Sequence, residues 1–262
     1  MIDFGYIETK DNLHSRIEAN SKFGNFDLHG WIKNKFIINK GSKVLDLGCG
    51  DGSYTKIFQN KVKKNGLVFG VDKNLELLKT AKKRFRKIPE NISYKYLNYD
   101  KTWNIEHNFD WVFSIYALQY TNNFSRIITN VKRVLSENGT FVIIGPAEKN
   151  SEILYDIHYC VTGKKAPKMY VKKMGRIENE FYDKLKKSFK EKNIKKLIFN
   201  YKLCFPTPVD FAKYYWSTPL WRDEVKRLGV NKINHLKIET IKYIASKRYK
   251  NVKKQIACVI CS

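Results

Sequence analysis

The spacing of apolar residues changes near residue 43. Segments 12–23 and 28–37 space their apolar residues as amphipathic helices do. Beyond them, short apolar runs typical of buried strands occur at 43–47, 67–71, 92–97, 109–118 and 140–146. Between these runs, helical spacing recurs at 53–61, 75–85 and 125–139, and Gly139 is expected to end the last helix in a left-handed conformation. Strands alternating with helices of this length predict a parallel sheet.

After Pro146 the alternation is less regular. Segments 147–161, 178–191, 207–217, 221–228 and 235–246 predict helices, and 194–205 and 253–261 predict strands. The expected fold is α/β: a seven-stranded, mostly parallel, doubly wound sheet with helices on both faces. The predicted divisions are an N-terminal helical arm (1–40), a core (41–205), a helical cap inserted before the last strand (206–249) and that last strand (250–262). Arm and cap are expected to cover the carboxyl ends of the strands.

Composition narrows the class of protein. The chain has 262 residues, 43% of them hydrophobic, which is enough for one large domain. The N-terminus lacks the pattern of a secretory signal and the apolar runs are too short to span a bilayer, so a cytoplasmic protein without a membrane span is expected. Five scattered cysteines do not indicate a disulfide framework. Cys258 and Cys261 fall on a predicted strand and would point to opposite faces, so no metal site is expected.

The formal net charge of +25 raises the question of nucleic acid. Of the 50 basic residues, only nine are Arg, and Asn and Ile are also abundant. An excess of Lys, Asn and Ile is what an AT-rich coding sequence gives without selection for binding. Recognition of phosphates or bases favours Arg instead. Compositional bias is therefore the favoured interpretation, with a functional basic face as the alternative.

The segment "VLDLGCGDGS" carries the most specific chemistry. Gly48, Gly50 and Gly52 follow a predicted strand, but the third glycine comes one residue earlier than in a dinucleotide loop. Asp46 would repel a pyrophosphate and would suit a cationic ligand. Asp72 ends the second strand, where a carboxylate can accept hydrogen bonds from both ribose hydroxyls, and Asp100 follows the third strand, where it can accept from an adenine amine.

With "VFGVD", "LNYD", "FDWVFSIYALQY" and "VKRVLSENGTFVIIGP", this segment resembles the class I S-adenosylmethionine-dependent methyltransferases over residues 43–146. The resemblance implies S-adenosyl-L-methionine as cofactor and S-adenosyl-L-homocysteine as product. It implies that the loop approaches the cofactor's amino-acid part through Gly48, Cys49, Gly50 and Gly52. Asp46 would face the cofactor's ammonium group, directly or through water. Arg16 is the candidate for the cofactor's carboxylate, with an ordinary surface Arg as the alternative.

The same resemblance assigns the nucleoside end of the cofactor. Asp72 would bind the ribose and Lys73 would lie beside the adenine. Tyr99 and Asp100 would frame the adenine. The methionine arm would be lined by Ser114 and Ile115.

Methyl transfer from a sulfonium needs mainly positioning and exclusion of water, so catalytic residues are hard to name from sequence. The candidates are Tyr116 and Tyr120 after the fourth strand and His158 after the fifth, with a structural imidazole as the alternative for His158.

Residues 114–117 lack the Pro-Pro motif of base and amide methylation, and the chain has no Pro-Cys. We expect methylation of an O or N atom of a small molecule or small modified peptide, of natural-product or sugar type. The alternatives are an RNA methyltransferase that uses the basic surface and a catalytically silent binding or scaffold protein. The oligomeric state stays open.

Overall fold

The computed structural model describes residues 9–85, 87–106, 108–189, 193–226 and 228–262. Within these ranges seven strands form one sheet in the order β3-β2-β1-β4-β5-β7-β6. The strands are β1 Lys43–Leu47, β2 Leu67–Asp72, β3 Ile92–Tyr96, β4 Phe109–Ile115, β5 Leu135–Pro146, β6 Ile194–Cys204 and β7 Asn251–Cys261.

Strands β1 to β5 are parallel, and β7 runs antiparallel to both β5 and β6. The predicted seven-stranded, mostly parallel α/β sheet is therefore confirmed. Because the ends of parallel strands meet at one edge, β1, β2 and β4 bring their following loops together there. Cys258 and Cys261 on β7 belong to apolar clusters on opposite faces of the sheet, as their spacing predicts.

The helices cover both faces of the sheet and one of its edges. They are α1 Lys10–Phe23, α2 Leu28–Lys35, α3 Ser53–Val62, α4 Leu75–Lys83, α5 Phe124–Val134, α6 Ile153–Thr162, α7 Lys168–Lys172, α8 Tyr182–Ser188, α9 Pro208–Trp216, α10 Pro219–Val225 and α11 Val230–Ser246. A 3-10 turn spans Leu118–Tyr120 and a π-helical turn spans Ile177–Phe181. None of the helices in the described ranges is long and apolar enough to cross a membrane.

The predicted helix over 125–139 is wrong at its carboxyl end. Helix α5 stops at Val134, and Leu135 begins β5 by pairing with Phe109 across the sheet. Gly139 does not have a positive φ. A Cβ at this position would lie 2.8 Å from the carbonyl oxygen of Phe109, so Gly139 permits a close approach of two strands instead of ending a helix.

Two other predicted helices differ in extent. The segment 147–161 begins with turns, and α6 starts only at Ile153. The segment 178–191 divides into the π-helical turn and α8, and its residues 190–191 lie outside the described ranges. The short helix α7 was not predicted. Residues 1–8 of the predicted N-terminal arm also lie outside the described residues.

The predicted cap segment forms helices α9, α10 and α11, which share one apolar cluster with α6 and α1. Phe211 and Tyr215 of α9 and Ile244 of α11 are fully buried in this cluster. Helix α1 is fixed to the same region, because Arg16 Nη1 donates to the carbonyl of Ser217 at 2.5 Å. Helix α6 was assigned to the core by its sequence position, yet it packs with the cap helices. The division into domains stays a prediction.

Candidate active site

The glycine segment forms the turn between β1 and α3. Gly48, Gly50 and Gly52 have φ angles of 78°, 54° and 77°, a region that side chains with a Cβ rarely adopt. The amides of Gly48 and Cys49 both donate to the carbonyl oxygen of Val71, at 2.8 and 2.9 Å. The backbone conformation therefore favours glycine at these three positions, and the turn is fixed to the end of β2.

The three glycines have different surroundings. A Cβ at Gly48 would clash with the Cβ of Ala117, whereas one at Gly50 would meet nothing closer than Leu77 at 4.0 Å. A Cβ at Gly52 would lie 2.9 Å from that of Ala81 on α4. Gly48 and Gly50 line a cavity, while Gly52 allows the loop to pack against a helix. The expected contact between Gly52 and a ligand is not supported.

A cavity of about 1430 Å³ lies at the carboxyl ends of β1, β2 and β4, between the glycine loop, α1 and the cap helices. Ten of the sequence-predicted site residues line it. They are Arg16, Gly48, Cys49, Gly50, Asp72, Lys73, Tyr99, Ile115, Tyr116 and Tyr120. The structure thus brings most of the predicted residues to one cavity.

Three further predicted polar ligands do not line the cavity, because each is engaged by the protein itself. Asp46 is buried and accepts a hydrogen bond from the Thr55 hydroxyl at 2.6 Å. The Ser114 hydroxyl donates to the carbonyl of Leu47 at 2.9 Å. Asp100 accepts hydrogen bonds from the Thr121 hydroxyl and from a neighbouring backbone amide. These bonds hold the loops that form the cavity wall, and a contact of the three residues with a cofactor stays a prediction.

The proposed catalytic His158 also lies away from the cavity. It is buried on α6, and its Nδ1 is 2.8 Å from the hydroxyl of Tyr215 in the cap cluster. Burial lowers the pKa of His158, which favours the neutral imidazole. The structural alternative for this histidine is the one that the geometry supports.

Asp72 links the two loops of the cofactor end. Its Oδ2 accepts from the amide of Gly50 and its Oδ1 from the amide of Asn74, both at 2.8 Å. Burial raises its pKa, against the opposing effect of these hydrogen bonds. Each carboxylate oxygen has two lone pairs, so Asp72 retains acceptor capacity on the cavity wall for a pair of hydroxyl groups.

The surroundings of Asp72 suit a nucleoside. The Tyr99 hydroxyl donates to the carbonyl of Ala117 at 3.2 Å, and the Lys73 ammonium is 5.9 Å from the centre of the Tyr99 ring. Leu75 lines the same part of the cavity and is 58% exposed, although it is a large apolar side chain. Leu75 was missed from sequence, and its signal is an apolar first residue of α4 three positions after the acidic strand end. The glycine cradle, the carboxylate and this apolar surface fit S-adenosylmethionine.

An ionic cluster connects α1 to the glycine loop. Asp51 is buried in the loop, and its carboxylate contacts the guanidinium of Arg84 and His14 Nε2, the latter at 3.3 Å. Hydrogen bonds from Ser53 and the charge of Arg84 outweigh burial and lower the pKa of Asp51. Asp51 therefore stays ionised. The cluster helps to hold α1 over the cavity, a role that spacing in the sequence did not indicate.

The far end of the cavity is rich in phenol groups. Tyr116 has a φ of 54°, an unusual value for a residue with a side chain and one found often at functional sites. Burial raises its pKa, so its hydroxyl stays protonated at neutral pH. Tyr201 and Tyr214 line the same end. Among the described residues, no group of three or more His, Cys, Asp or Glu side chains is placed to hold a metal ion.

The sheet order, the antiparallel β7, the glycine loop after β1 and the carboxylate at the end of β2 define a class I S-adenosylmethionine-dependent methyltransferase. The comparison with protein families agrees, because residues 38–204 match the family described as "Methyltransferase domain". This match covers more than half of the chain. The chain belongs to this family.

Individual relatives match only part of the chain. The juvenile hormone acid O-methyltransferase of Bombyx mori is 31% identical over 105 residues, which cover 40% of this chain and 38% of the relative. The ubiquinone/menaquinone biosynthesis C-methyltransferase UbiE of Methylococcus capsulatus is 25% identical over 126 residues, or 46% of this chain and 51% of the relative. The chain thus spans about half or less of the length of these two relatives.

Solved structures share the fold over nearly the whole chain. A methyltransferase of Geobacter sulfurreducens, solved with S-adenosyl-L-homocysteine, has a TM-score of 0.56 at 12% identity and covers 98% of this chain and 100% of its own. A methyltransferase of Thiobacillus denitrificans, also solved with that product, has a TM-score of 0.54 at 12% identity, with the same coverage of both chains. The agreement at this identity concerns the fold.

Gly48→Ala should weaken cofactor binding at least tenfold, because the added Cβ clashes with Ala117 on the wall of the cavity. Gly163→Ala is the matched control: Gly163 also has a positive φ, 71°, but a Cβ there meets nothing within 4 Å. Both variants carry the same kind of backbone strain. Calorimetric titration with S-adenosyl-L-homocysteine measures the difference in affinity. Equal affinities for the two variants would contradict the claim that the glycine loop binds the cofactor at Gly48.

Asp72→Asn should lower cofactor affinity about tenfold or more, since hydrogen bonds to a charged group are worth about 1.5–3 kcal/mol. Asp110→Asn is the control, because Asp110 also accepts a backbone amide, from Lys43 at 2.8 Å, but at the start of β4. The same titration applies. An Asp72→Asn variant that binds the cofactor like the wild type would remove Asp72 from the site.

Asp46 makes stability depend on pH. Burial raises its pKa to about 7, against an ordinary value of 3.8. Between these values the folded chain holds a proton that the unfolded chain has lost, so this contribution to stability declines as pH rises and is gone above about pH 7. Asp46→Asn cannot ionise, so its stability relative to the wild type should rise by about 1–2 kcal/mol between pH 5.5 and 8.5.

Urea unfolding at the two pH values measures this change. Asp110→Asn serves again as the control, because it makes the same chemical change at an exposed position. A stability difference between Asp46→Asn and the wild type that is the same at both pH values would show that Asp46 does not titrate in this range.

Proposed function

We propose that this chain transfers the methyl group of S-adenosylmethionine to a small molecule that enters the cavity beneath the cap helices. The supporting observation is the size and continuity of the cavity, about 1430 Å³ reaching from Asp72 to Tyr214 and Lys254. Pockets for one drug-sized ligand measure about 300–1,000 Å³. The cavity is thus large enough for the cofactor and a second molecule side by side.

When bound, S-adenosylmethionine supplies a methyl group on a sulfonium, already activated for attack. The chain's own contribution is then to orient the two molecules and to exclude water. Leu13 and Ile17 of α1 and Leu154 of α6 give the cavity apolar walls. Tyr116 and Tyr120 remain the proposed residues at the acceptor, as neutral hydrogen-bonding groups in the case of Tyr116.

The names of the relatives widen the set of atoms that we propose as methyl acceptors. The sequence favours oxygen or nitrogen. One relative is named as an O-methyltransferase of an acid and the other as a C-methyltransferase of a biosynthetic pathway. We therefore add carbon to the proposed atoms. A small modified peptide that fits the cavity remains within the proposal, and a catalytically silent binding protein remains its alternative.

The test is release of S-adenosyl-L-homocysteine from S-adenosylmethionine with two sets of acceptors. One set contains small carboxylic acids, phenols, amines and quinols, and the other contains total RNA at 50 and 200 mM salt. We expect product with at least one small molecule and none with RNA, and loss of product in Asp72→Asn.

Product with RNA alone, falling steeply between the two salt concentrations, would favour the RNA methyltransferase that uses the basic surface. Cofactor binding without product from either set would favour the silent binding protein. Failure of the wild-type chain to bind the cofactor at all would overturn the proposal at its first step.

A further inference from the structure

A lysine side chain lies buried at the far end of the cavity. Lys254 of β7 lines the cavity wall and is only 8% exposed. Its ammonium donates to the hydroxyl of Ser151 and to the hydroxyl of Tyr214, both at 2.9 Å. Burial opposes its positive charge, but the oxygens of Tyr214 and Tyr201 outweigh burial and raise the pKa of Lys254. The two acceptor oxygens at 2.9 Å suit the ammonium form of this side chain.

This ammonium has no ionic partner within the described part of the chain. Its two acceptors are uncharged hydroxyls, and no Asp or Glu oxygen there lies within 4.0 Å of its Nζ. Buried charges in proteins are normally paired, because desolvation of an unpaired charge is costly. An ammonium also has three N–H donors, and the structure supplies acceptors for two.

The wall around Lys254 is built for a negative group with an apolar body. Tyr170, Tyr201 and Tyr214 give this part of the cavity aromatic surface. Ser151 keeps its backbone at a φ of 62°, which a residue with a side chain rarely adopts. Among the described residues, the acidic ones on the cavity wall are Asp27, which directly precedes α2, and Asp51, Asp72 and Glu76, which lie on the loops and helix at the cofactor end.

Building on the proposed methyl transfer, we propose that the methyl acceptor is a small carboxylic acid and that Lys254 binds its carboxylate. The pair would be a charge-assisted hydrogen bond in a site shielded from water, where such bonds are strongest. Lys254 would thus select acceptors by their charge and orient them. The carboxylate is the anchor of the acceptor, and the aromatic walls hold the rest of the molecule.

The experiment compares binding of acids and of their neutral amides. The probes are 4-hydroxyphenylacetate and octanoate, each with its amide, and phenyl phosphate, titrated by calorimetry with S-adenosyl-L-homocysteine present. The variants are Lys254→Met and, as a matched control, Lys253→Met, which changes an exposed lysine on the same strand. We expect at least one acid to bind the wild type more tightly than its amide, to lose about tenfold or more in Lys254→Met, and to bind Lys253→Met normally.

The proposal is overturned if neither acid binds the wild type better than its amide, if Lys254→Met binds the acids as the wild type does, or if phenyl phosphate binds more tightly than both acids. Replacing a buried charge by Met should leave the fold intact, which the melting temperature checks. Should Lys254→Met fail to fold, Lys254→Arg retains the charge and should retain the preference for acid over amide.

The experiment distinguishes failure of the proposed methyl transfer from failure of the proposed role of Lys254. Binding of S-adenosyl-L-homocysteine to the wild type is measured before the acids are added. Without such binding the methyltransferase proposal fails, and titration of the cofactor-free protein with the same acids and amides still decides the role of Lys254.

Discussion

The carboxylate of Asp72 is the interaction on which the cofactor end of the cavity depends. It accepts the amide of Gly50 from the loop after β1 and the amide of Asn74 before α4. The loop after β1 is thereby held to the strand beside it, with the carbonyl of Val71 accepting two further amides. A backbone of three positive-φ glycines is adaptable on its own. These hydrogen bonds select one conformation from the many that glycine allows.

A second layer of buried and partly buried polar groups supports that arrangement. Asp46 is held by Thr55, the Ser114 hydroxyl by the carbonyl of Leu47, and Asp100 by Thr121. Each bond connects the end or flanking loop of one strand to a neighbouring segment, so the edge of the sheet is braced before any ligand arrives. A preformed cradle loses less conformational entropy on binding than a flexible one. The polar residues that do not touch the cavity thus still contribute to its shape.

Much of the fold and of the cavity could be predicted from sequence, and each wrong prediction has a physical cause. Periodicity predicted the alternation of strands and helices, and that alternation predicts a mostly parallel sheet. The resemblance to the methyltransferase family also placed Asp72, Tyr99 and Tyr116 at one edge of the sheet. It does not determine which way a side chain turns at a strand end, and for that reason Asp46 and Ser114 were expected on the cavity wall. Gly139 was predicted to end a helix, but a glycine can also allow two strands to approach closely, and the sequence does not distinguish these two uses.

Residues distant in sequence were beyond local reasoning for a different reason. Lys254 reaches the cavity only because β7 runs antiparallel between β5 and β6, and its partners Ser151 and Tyr214 come from two other segments. The residues that line the cavity thus come from two parts of the chain, one inside the family match and one outside it. The family match, residues 38–204, includes the glycine loop and Asp72, whereas Arg16, Tyr214 and Lys254 lie outside it. Membership of the family therefore constrains the methyl donor far more than the acceptor, and the names of the two relatives point to different acceptors.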